Sequence, residues 1–185
     1  MFDELHTKRL DLRFLGELDA DEFFAVVDAD RKALGQWLPW VEEHCTIEHS
    51  EAFLAAAEIQ LDMENGGICG IFMQQELIGC ITIHWIQNDN YSASLGYWLA
   101  SSAQRKGFAQ EACETVLQYC FEGLALNRIE LSVACENTPS TRLAERLGFH
   151  SEGIRREYEH LHGRFWDHHA YSLLRSDSDA SWTRK

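Results

Sequence analysis

A short loop between an apolar strand and an amphipathic helix is the feature that most constrains how this chain folds. The strand covers residues 95–99 (Leu-Gly-Tyr-Trp-Leu), and apolar residues recur at helical spacing over 111–120. The loop between them includes the run Gln-Arg-Lys-Gly-Phe-Ala over 104–109. Backbone N–H groups in the first turn of a helix lack intrahelical partners, and the helix dipole adds positive potential there. The junction therefore predicts a phosphate site, to which Arg105 and Lys106 add two positive charges.

The rest of the hydrophobic pattern predicts strands and helices on both sides of this junction. Period-two alternation predicts strands, and longer segments with apolar residues at helical spacing predict helices. The predicted strands are 6–15, 68–74, 77–86, 91–99, 128–134, 152–160 and 165–174, and the predicted helices are 19–34, 46–64 (or 50–64), 108–122 and 139–147. We therefore expect one α/β domain over residues 1–185, with a mixed sheet, a core of about 6–174 and a polar tail over 176–185.

The charge balance and the cysteines limit where the protein works and what it binds. Acidic residues exceed basic residues by 30 to 16, which gives a formal net charge of −14. Such a field repels nucleic acid and anionic membranes and attracts a cationic substrate. The alternative interpretation is that the acidic surface serves only solubility. No apolar stretch approaches the roughly 18 residues of a membrane helix, and the N-terminus lacks the plan of a signal peptide. The six cysteines include no C-x-x-C pair and are expected to be reduced, so the expected location is the cytoplasm.

A second motif follows the loop further along the chain. Residues 136–149 read Glu-Asn-Thr-Pro-Ser-Thr-Arg-Leu-Ala-Glu-Arg-Leu-Gly-Phe. Together the two motifs resemble the GNAT superfamily of acyl-CoA-dependent N-acetyltransferases, whose members pair a Q/R-x-x-G-x-G/A loop with N-x-x-S/A and a terminal L-G-F. Residues 37–40 (Trp-Leu-Pro-Trp), 96–99, 127–130 and 152–155 are also similar to the branch that acetylates the N-termini of ribosomal proteins, the Rim type.

The resemblance implies a single-domain GNAT-like α/β fold, with a mixed, mostly antiparallel sheet, flanking helices and a splayed central cleft. It also implies acetyl-CoA as cosubstrate and no metal. The loop amides would hold the CoA pyrophosphate, exposed strand backbone would pair with the pantetheine, and an asparagine at a strand end would bind the cofactor. The cofactor-binding residues implied in this way are Trp98, Leu99, Gln104, Arg105, Lys106, Gly107, Phe108, Ala109 and Asn137.

The same resemblance implies two catalytic residues. Glu159 falls where Rim-type sequences place a glutamate, and it is the candidate base, acting through water. The alternatives are that Glu159 is a solvated strand carboxylate, or that His160 or His162 is the base. Ser140 is the candidate acid, because Ala144 stands where many family members carry a tyrosine. A serine at this position is also an ordinary helix-start residue, so capping alone could explain it.

Four histidines of the last predicted hairpin raise the alternative of a metal site. They lie at positions 160, 162, 168 and 169. No cysteine or carboxylate completes a tetrahedral set in the sequence, so polar hairpin residues are the favoured interpretation.

The implied chemistry is attack of a neutral amine on a thioester. At pH 7 an N-terminal α-amine, with a pKa of about 7.7–8.0, is roughly a tenth neutral, whereas a lysine is neutral only a few times in about ten thousand. An α-amine therefore needs no strong base. The favoured acceptor is the α-amine of a protein, such as a ribosomal protein, and the acidic surface suits a basic acceptor.

Two other functions stay open at this point. One keeps the reaction and changes the acceptor to a polyamine, an aminoglycoside or another small toxic amine. The other is a CoA-binding sensor that has lost its chemistry. A homodimer is an expectation from the family alone.

Overall fold

The computed structural model describes residues 1–2 and 4–177, so residues 178–185 of the predicted tail lie outside the described residues. The strands are β1 (Leu5–His6), β2 (Asp11–Phe14), β3 (Gly67–Met73), β4 (Glu76–Gln87), β5 (Ser92–Leu99), β6 (Arg128–Ala134), β7 (His150–Leu161) and β8 (Arg164–Leu174). The helices are α1 (Ala20–Ala29), α2 (Arg31–Leu34), α3 (Ile47–Asp62), α4 (Phe108–Glu122) and α5 (Thr138–Arg146). From α3 onward, both boundaries of every predicted strand and helix lie within two residues of the observed ones, except that the alternative start of α3 at residue 50 was wrong.

The strands form one eight-stranded sheet in the order β1-β2-β3-β4-β5-β6-β8-β7. Neighbouring strands are antiparallel except β5 and β6, which run parallel. Parallel neighbours need a crossover connection, and α4 supplies it between β5 and β6. The prediction of a mixed, mostly antiparallel sheet with flanking helices is confirmed. Within the part of the chain that the structure describes, no helix has both the length and the apolar character needed to cross a membrane.

The N-terminal segment differs from the single strand predicted over 6–15. It forms two short strands, β1 and β2, which pair antiparallel across a turn. The Thr7 N–H donates to the Leu10 carbonyl at 2.8 Å, and the Leu10 N–H donates to the Thr7 hydroxyl at 2.8 Å. These local bonds satisfy the backbone within the turn, whereas the apolar alternation continues across it. The hydrophobic pattern alone therefore does not reveal the break.

The helix predicted over 19–34 is divided into α1 and α2 at Asp30. The Asp30 backbone leaves the helical region, with φ −122° and ψ 19°. Its carboxylate accepts hydrogen bonds from the Ser101 N–H at 2.6 Å and from the Ser101 hydroxyl at 2.9 Å. The break thus ties the end of α1 to the segment that follows β5. Such a tertiary contact overrides local helix propensity.

Two apolar cores lie on opposite faces of the sheet. On one face, α4 and α5 pack against side chains that include Leu131 and Val133 of β6. On the other face, α1 and α3 pack around Phe23, which is fully buried and lies edge-on to Trp98 of β5 with ring centres 6.0 Å apart. Successive strand residues point to opposite faces. Ser132, between Leu131 and Val133, therefore points away from α4 and α5.

An ion-pair network on this second face makes a testable contribution to stability. Arg128 donates to the two Glu152 oxygens at 2.8 and 2.6 Å, and the Ser172 hydroxyl donates to Glu152 at 2.8 Å. These bonds, chiefly those from Arg128, lower the pKa of Glu152 from 4.5 to about 2. The ionised carboxylate therefore stabilises the fold fully above about pH 4.5, and this contribution is lost as the pH falls toward 2.

We expect Glu152→Gln to lower the free energy of unfolding by about 1 kcal/mol at pH 7, since solvent screens a side chain that is 42% exposed. Urea denaturation at pH 7 and near pH 2 measures this difference, which should shrink toward zero at the lower pH. Glu51→Gln, on an exposed position of α3, is the control and should change stability by less than about 0.5 kcal/mol. If Glu152→Gln loses the same free energy of unfolding at both pH values, the ion pair is not the origin of the loss.

Candidate active site

The cleft of the site opens where β5 and β6 stop pairing. Their register covers 92–95 of β5 against 128–131 of β6. β5 then continues to Leu99 and β6 to Ala134, and no further pair between these two strands occurs among the described residues. The strands therefore diverge, as the predicted splayed cleft requires.

β5 presents backbone groups to this cleft. The Ala100 N–H donates to a carbonyl of β4 at 2.9 Å. Because backbone groups alternate in direction along a strand, those of Leu99 and Tyr97 point the other way, into the cleft. The Leu99 carbonyl accepts a bond from the Gln104 side-chain amide at 2.9 Å. Trp98, by contrast, has a buried side chain that belongs to the core around α1 and α3.

The predicted phosphate loop lies at the start of α4. Gly107 is the N-cap residue and has the left-handed conformation, with φ 84° and ψ −1°, which glycine adopts without the penalty of a Cβ. Arg105 and Lys106 are exposed, and Arg105 also has a positive φ of 60°. The loop therefore brings two cations to the free N–H groups of the first helical turn, as an anion site does.

Arg9 holds this loop from the N-terminal segment, a contact that the sequence analysis missed. Its Nε donates to a Glu111 oxygen at 2.7 Å, and its Nη1 donates to the Lys106 carbonyl at 3.0 Å. The guanidinium carbon lies 4.6 Å from the ring centre of Phe108. Burial acts to raise the pKa of Glu111, but the bonds from Thr7 and Arg9 outweigh it and lower that pKa. Nothing in the sequence around Arg9 indicates a partner so distant along the chain.

Ser140 lies in the first turn of α5, beside Tyr97 of β5. The two hydroxyl oxygens are 2.6 Å apart, and the Tyr97 hydroxyl also lies 3.2 Å from the Ser140 carbonyl oxygen. The N-cap of α5 is Asn137, whose side-chain oxygen accepts from the Ser140 N–H at 3.3 Å. The Ser140 hydroxyl therefore does not serve as the cap. Burial raises the pKa of Tyr97, which keeps its phenol protonated at neutral pH.

Glu159 lies on β7 just beyond a bulge. The register passes from Arg155 opposite His168 to Glu159 opposite Trp166, so three residues of β7 face one residue of β8. Bulges of this kind re-aim side chains. The Glu159 carboxylate lies 3.4 Å from Nε2 of His168, and the Ser132 hydroxyl lies 3.1 Å from Nδ1 of the same ring.

The two histidines considered as alternative bases make other contacts. The ring nitrogens of His162 lie 2.9 Å from the Gly35 carbonyl oxygen and 3.1 Å from the Glu42 carboxylate. His160 stands opposite Phe165, with the ring centres 5.0 Å apart. Because neighbouring strand residues point to opposite faces, His160 points away from the face that carries the glutamate before it.

The two candidate catalytic residues lie on opposite faces of the sheet. Ser140 belongs to α5, which packs on the face of Val133. His168 stands opposite Ala134, and therefore shares the other face with Ser132. The structure thus brings together the loop, Asn137 and Ser140 on one face and places Glu159 on the other.

Comparison with known proteins agrees with this architecture. The family model described as "Acetyltransferase (GNAT) domain" matches residues 9–150. The chain therefore belongs to the GNAT acetyltransferase family, whose members are acyl-CoA-dependent N-acetyltransferases.

Relatives differ in their acceptors. The ribosomal-protein-serine acetyltransferase of Escherichia coli (strain K12) is 24% identical over 171 residues, which cover 91% of this chain and 94% of that protein. The spermidine N(1)-acetyltransferase of Vibrio cholerae (serotype O1, strain El Tor Inaba N16961) is 35% identical over 103 residues, or 56% of this chain and 60% of that protein. Among solved structures, Mycobacterium smegmatis RimJ in complex with CoA-disulfide superposes with a TM-score of 0.85 and 28% identity, covering 90% of this chain and 82% of that chain.

Proposed function

We propose that this enzyme transfers an acetyl group from acetyl-CoA to the N-terminal α-amine of a protein, such as a ribosomal protein. One observation supports the proposal: a hydroxyl pair and a carboxylate lie on opposite faces of the sheet in which β5 and β6 stop pairing with each other. An acyl donor lying in that cleft would have a proton donor on one side and a proton acceptor on the other.

The donor side uses backbone more than side chains. The N–H groups at the start of α4 would hold the CoA pyrophosphate beside Arg105 and Lys106. The backbone groups of Tyr97 and Leu99 that point into the cleft would pair with the extended pantetheine arm, as an added strand does. Asn137 uses its side-chain oxygen as the N-cap of α5, which leaves its amide nitrogen to donate to the cofactor.

Glu159 is the proposed base. The amine nitrogen attacks the thioester carbon, a C–N bond forms, and the C–S bond breaks. Glu159 takes the proton of the amine through one water molecule. The carboxylate is about one-third exposed, which leaves room for water beside it.

Ser140 is the proposed acid, and Tyr97 assists it. The Tyr97 hydroxyl has one hydrogen, and the contact with the Ser140 hydroxyl is shorter than that with the Ser140 carbonyl. When Tyr97 donates to the Ser140 oxygen, the Ser140 hydrogen is free to go to the leaving sulfur. Ser140 then regains a proton from solvent, and Glu159 releases to solvent the proton it took from the amine. Tyr97 thus supports from β5 the proton donation that many family members assign to a tyrosine at the position of Ala144.

The nature of the proposed base, a single carboxylate, determines which kind of amine is the favoured acceptor. A single partly solvated carboxylate suffices for an α-amine with a pKa of about 7.7–8.0, but not readily for a lysine near 10.4. The formal charge of −14 favours a cationic acceptor, and relatives include a ribosomal-protein acetyltransferase. A protein N-terminus fits these features best.

We expect Arg9→Ala to weaken acetyl-CoA binding about tenfold, because the loop loses its charge-assisted bonds to the N-terminal segment. Arg9→Lys should recover only part of the loss, since lysine cannot bond Glu111 and the Lys106 carbonyl in the same fork geometry. Isothermal titration with acetyl-CoA measures the effect, and Lys8→Ala, at an exposed neighbouring position, is the control. Unchanged binding by Arg9→Ala would show that the clamp is unrelated to the cofactor.

The acceptor is tested by free-CoA release from acetyl-CoA in the presence of matched amines. Peptides with the N-terminal sequences of ribosomal proteins should be turned over, and the same peptides with an acetylated N-terminus should not. Lysine peptides, spermidine and aminoglycosides complete the panel. Turnover of spermidine or an aminoglycoside alone would overturn the ribosomal assignment.

A polyamine acceptor is the second candidate, favoured by the likeness to the spermidine enzyme over part of the chain. The same assay separates it from the first, since the blocked and free peptides would then be equally inert. Clear acetyl-CoA binding without release by any amine would favour a CoA sensor.

A further inference from the structure

His168 is a buried side chain that the mechanism above does not use. It is 6% exposed, and its Nδ1 contacts the Ser132 hydroxyl at 3.1 Å. Its Nε2 lies 3.4 Å from the Glu159 carboxylate but has no hydrogen bond to it or to any other described residue. A buried polar atom without a partner is costly to folding. Its retention beside a candidate base therefore calls for an explanation.

The surroundings of the ring determine which nitrogen carries the hydrogen. An ionised carboxylate only accepts hydrogen bonds, so the nitrogen that faces Glu159 is favoured as an N–H group. Nδ1 of His168 is then the bare nitrogen. A serine hydroxyl can donate to it, and Ser132 is in place to do so.

The other groups near the ring do not compete for this N–H. Tyr158 lies against the imidazole with ring centres 5.1 Å apart. Arg155 stands opposite His168 in the sheet, but its guanidinium lies over the Tyr158 ring and 3.6 Å from the Glu130 carboxylate. The Glu159 carboxylate, which lies beyond the bulge, is thus the acceptor available to Nε2 of His168.

Position supports a role in the reaction. Ser132 is the first residue of β6 beyond its pairing with β5, at the point where the cleft opens. The three residues Ser132, His168 and Glu159 therefore form a connected row across β6, β8 and β7, on the face that carries the proposed base.

We propose that His168 is a positioning residue, which orients the Glu159 carboxylate through its Nε2–H group, while Ser132 fixes the tautomer. This inference rests on the proposed role of Glu159. When the acceptor is bound, the Glu159 carboxylate turns toward His168, and the 3.4 Å contact between them shortens into a hydrogen bond. His168 acts through Glu159 and does not itself touch the substrate.

The test is a double-mutant cycle at saturating acetyl-CoA. His168→Leu should lower kcat about tenfold in the wild-type background, because a charge-assisted bond is lost. In the Glu159→Gln background the same substitution should change kcat by less than about twofold, since its target is gone. His168→Gln, whose amide can place an N–H near the position of Nε2, should recover kcat to within about threefold of wild type. His150→Leu, at an exposed position at the start of β7, is the control and should change kcat by less than about twofold.

The outcomes separate the inference from the function on which it rests. Equal losses from His168→Leu in both backgrounds would overturn the positioning role while leaving Glu159 as the base. If Glu159→Gln alone keeps full turnover, the base assignment and this inference both fail. A nitrogen NMR spectrum of the histidine rings gives a reading without turnover, in which His168 should be the Nε2–H tautomer. The Nδ1–H tautomer would contradict the proposal.

Discussion

Glu159→Gln is expected to lower kcat by about 10²- to 10⁴-fold, with acetyl-CoA binding unchanged. Glutamine keeps the size of the side chain but cannot accept the proton that the amine must lose. The deficit should be largest below the pKa of the amine, about 7.7–8.0, and should shrink as the pH rises and the acceptor becomes neutral by itself. Steady-state kinetics with an N-terminal peptide over pH 6–9.5 measure both effects.

Glu157→Gln is the control for this substitution. It lies two residues earlier on β7, within the bulge, and its side chain is exposed. Its kcat should stay within about twofold of wild type, as for a surface change away from the chemistry. A pH-independent loss in Glu159→Gln, or equal losses in both variants, would contradict the assignment of the base.

Ser140→Ala is expected to lower kcat by about 10²-fold, because the leaving sulfur loses its proton donor. The fold should lose no more than about 1 kcal/mol, since the backbone N–H at position 140 still bonds the Asn137 cap and Tyr97 can still bond the carbonyl. Tyr97→Phe should lower kcat less, by about tenfold, because it leaves the Ser140 hydroxyl in place.

Turnover and thermal unfolding of the same samples separate catalysis from structure at Ser140. If Ser140→Ala has a lower melting temperature but intact turnover, the role of Ser140 is structural. A Tyr97→Phe enzyme with wild-type kcat would show that the phenol is not needed to orient the serine.

The sequence predicts best those elements whose pattern is local and long. α4 begins at Phe108 and ends at Glu122, as its apolar spacing and the following glycine indicate. The cleft is also predictable. The helix α4 joins β5 to β6, as a crossover between parallel strands does, and the family resemblance implies that these two strands diverge. Apolar periodicity and turn residues determine such features with little help from distant contacts.

Features that depend on distant contacts were missed. Asp30 breaks the first long helix because Ser101 bonds its carboxylate, and Arg9 reaches the phosphate loop through Glu111. Neither pairing has a periodic signature. Tyr97 could have been found, since strand alternation places its backbone beside that of Leu99 in the cleft, but its hydroxyl contact with Ser140 needs the path of α5.

The bulge in β7 shows the same limit at the candidate base. A strand predicted over 152–160 does not reveal that three of its residues face one residue of β8. That two-residue displacement keeps Glu159 on the same face but moves it along the strand, so that it lies opposite Trp166 and beside His168. Register shifts of this kind depend on both strands and on their turn, and not on the residues of one segment alone.

A crystal structure of the enzyme with acetyl-CoA tests the central claim most directly, which is that the reaction takes place in the cleft between β5 and β6. We predict the pyrophosphate on the N–H groups at the start of α4, the pantetheine along Tyr97 and Leu99, and the sulfur within hydrogen-bond reach of the Ser140 hydroxyl. The thioester carbon should be open to the face that carries Glu159. A cofactor bound outside this cleft, or a thioester on the far side of α5 from Ser140, would contradict the account.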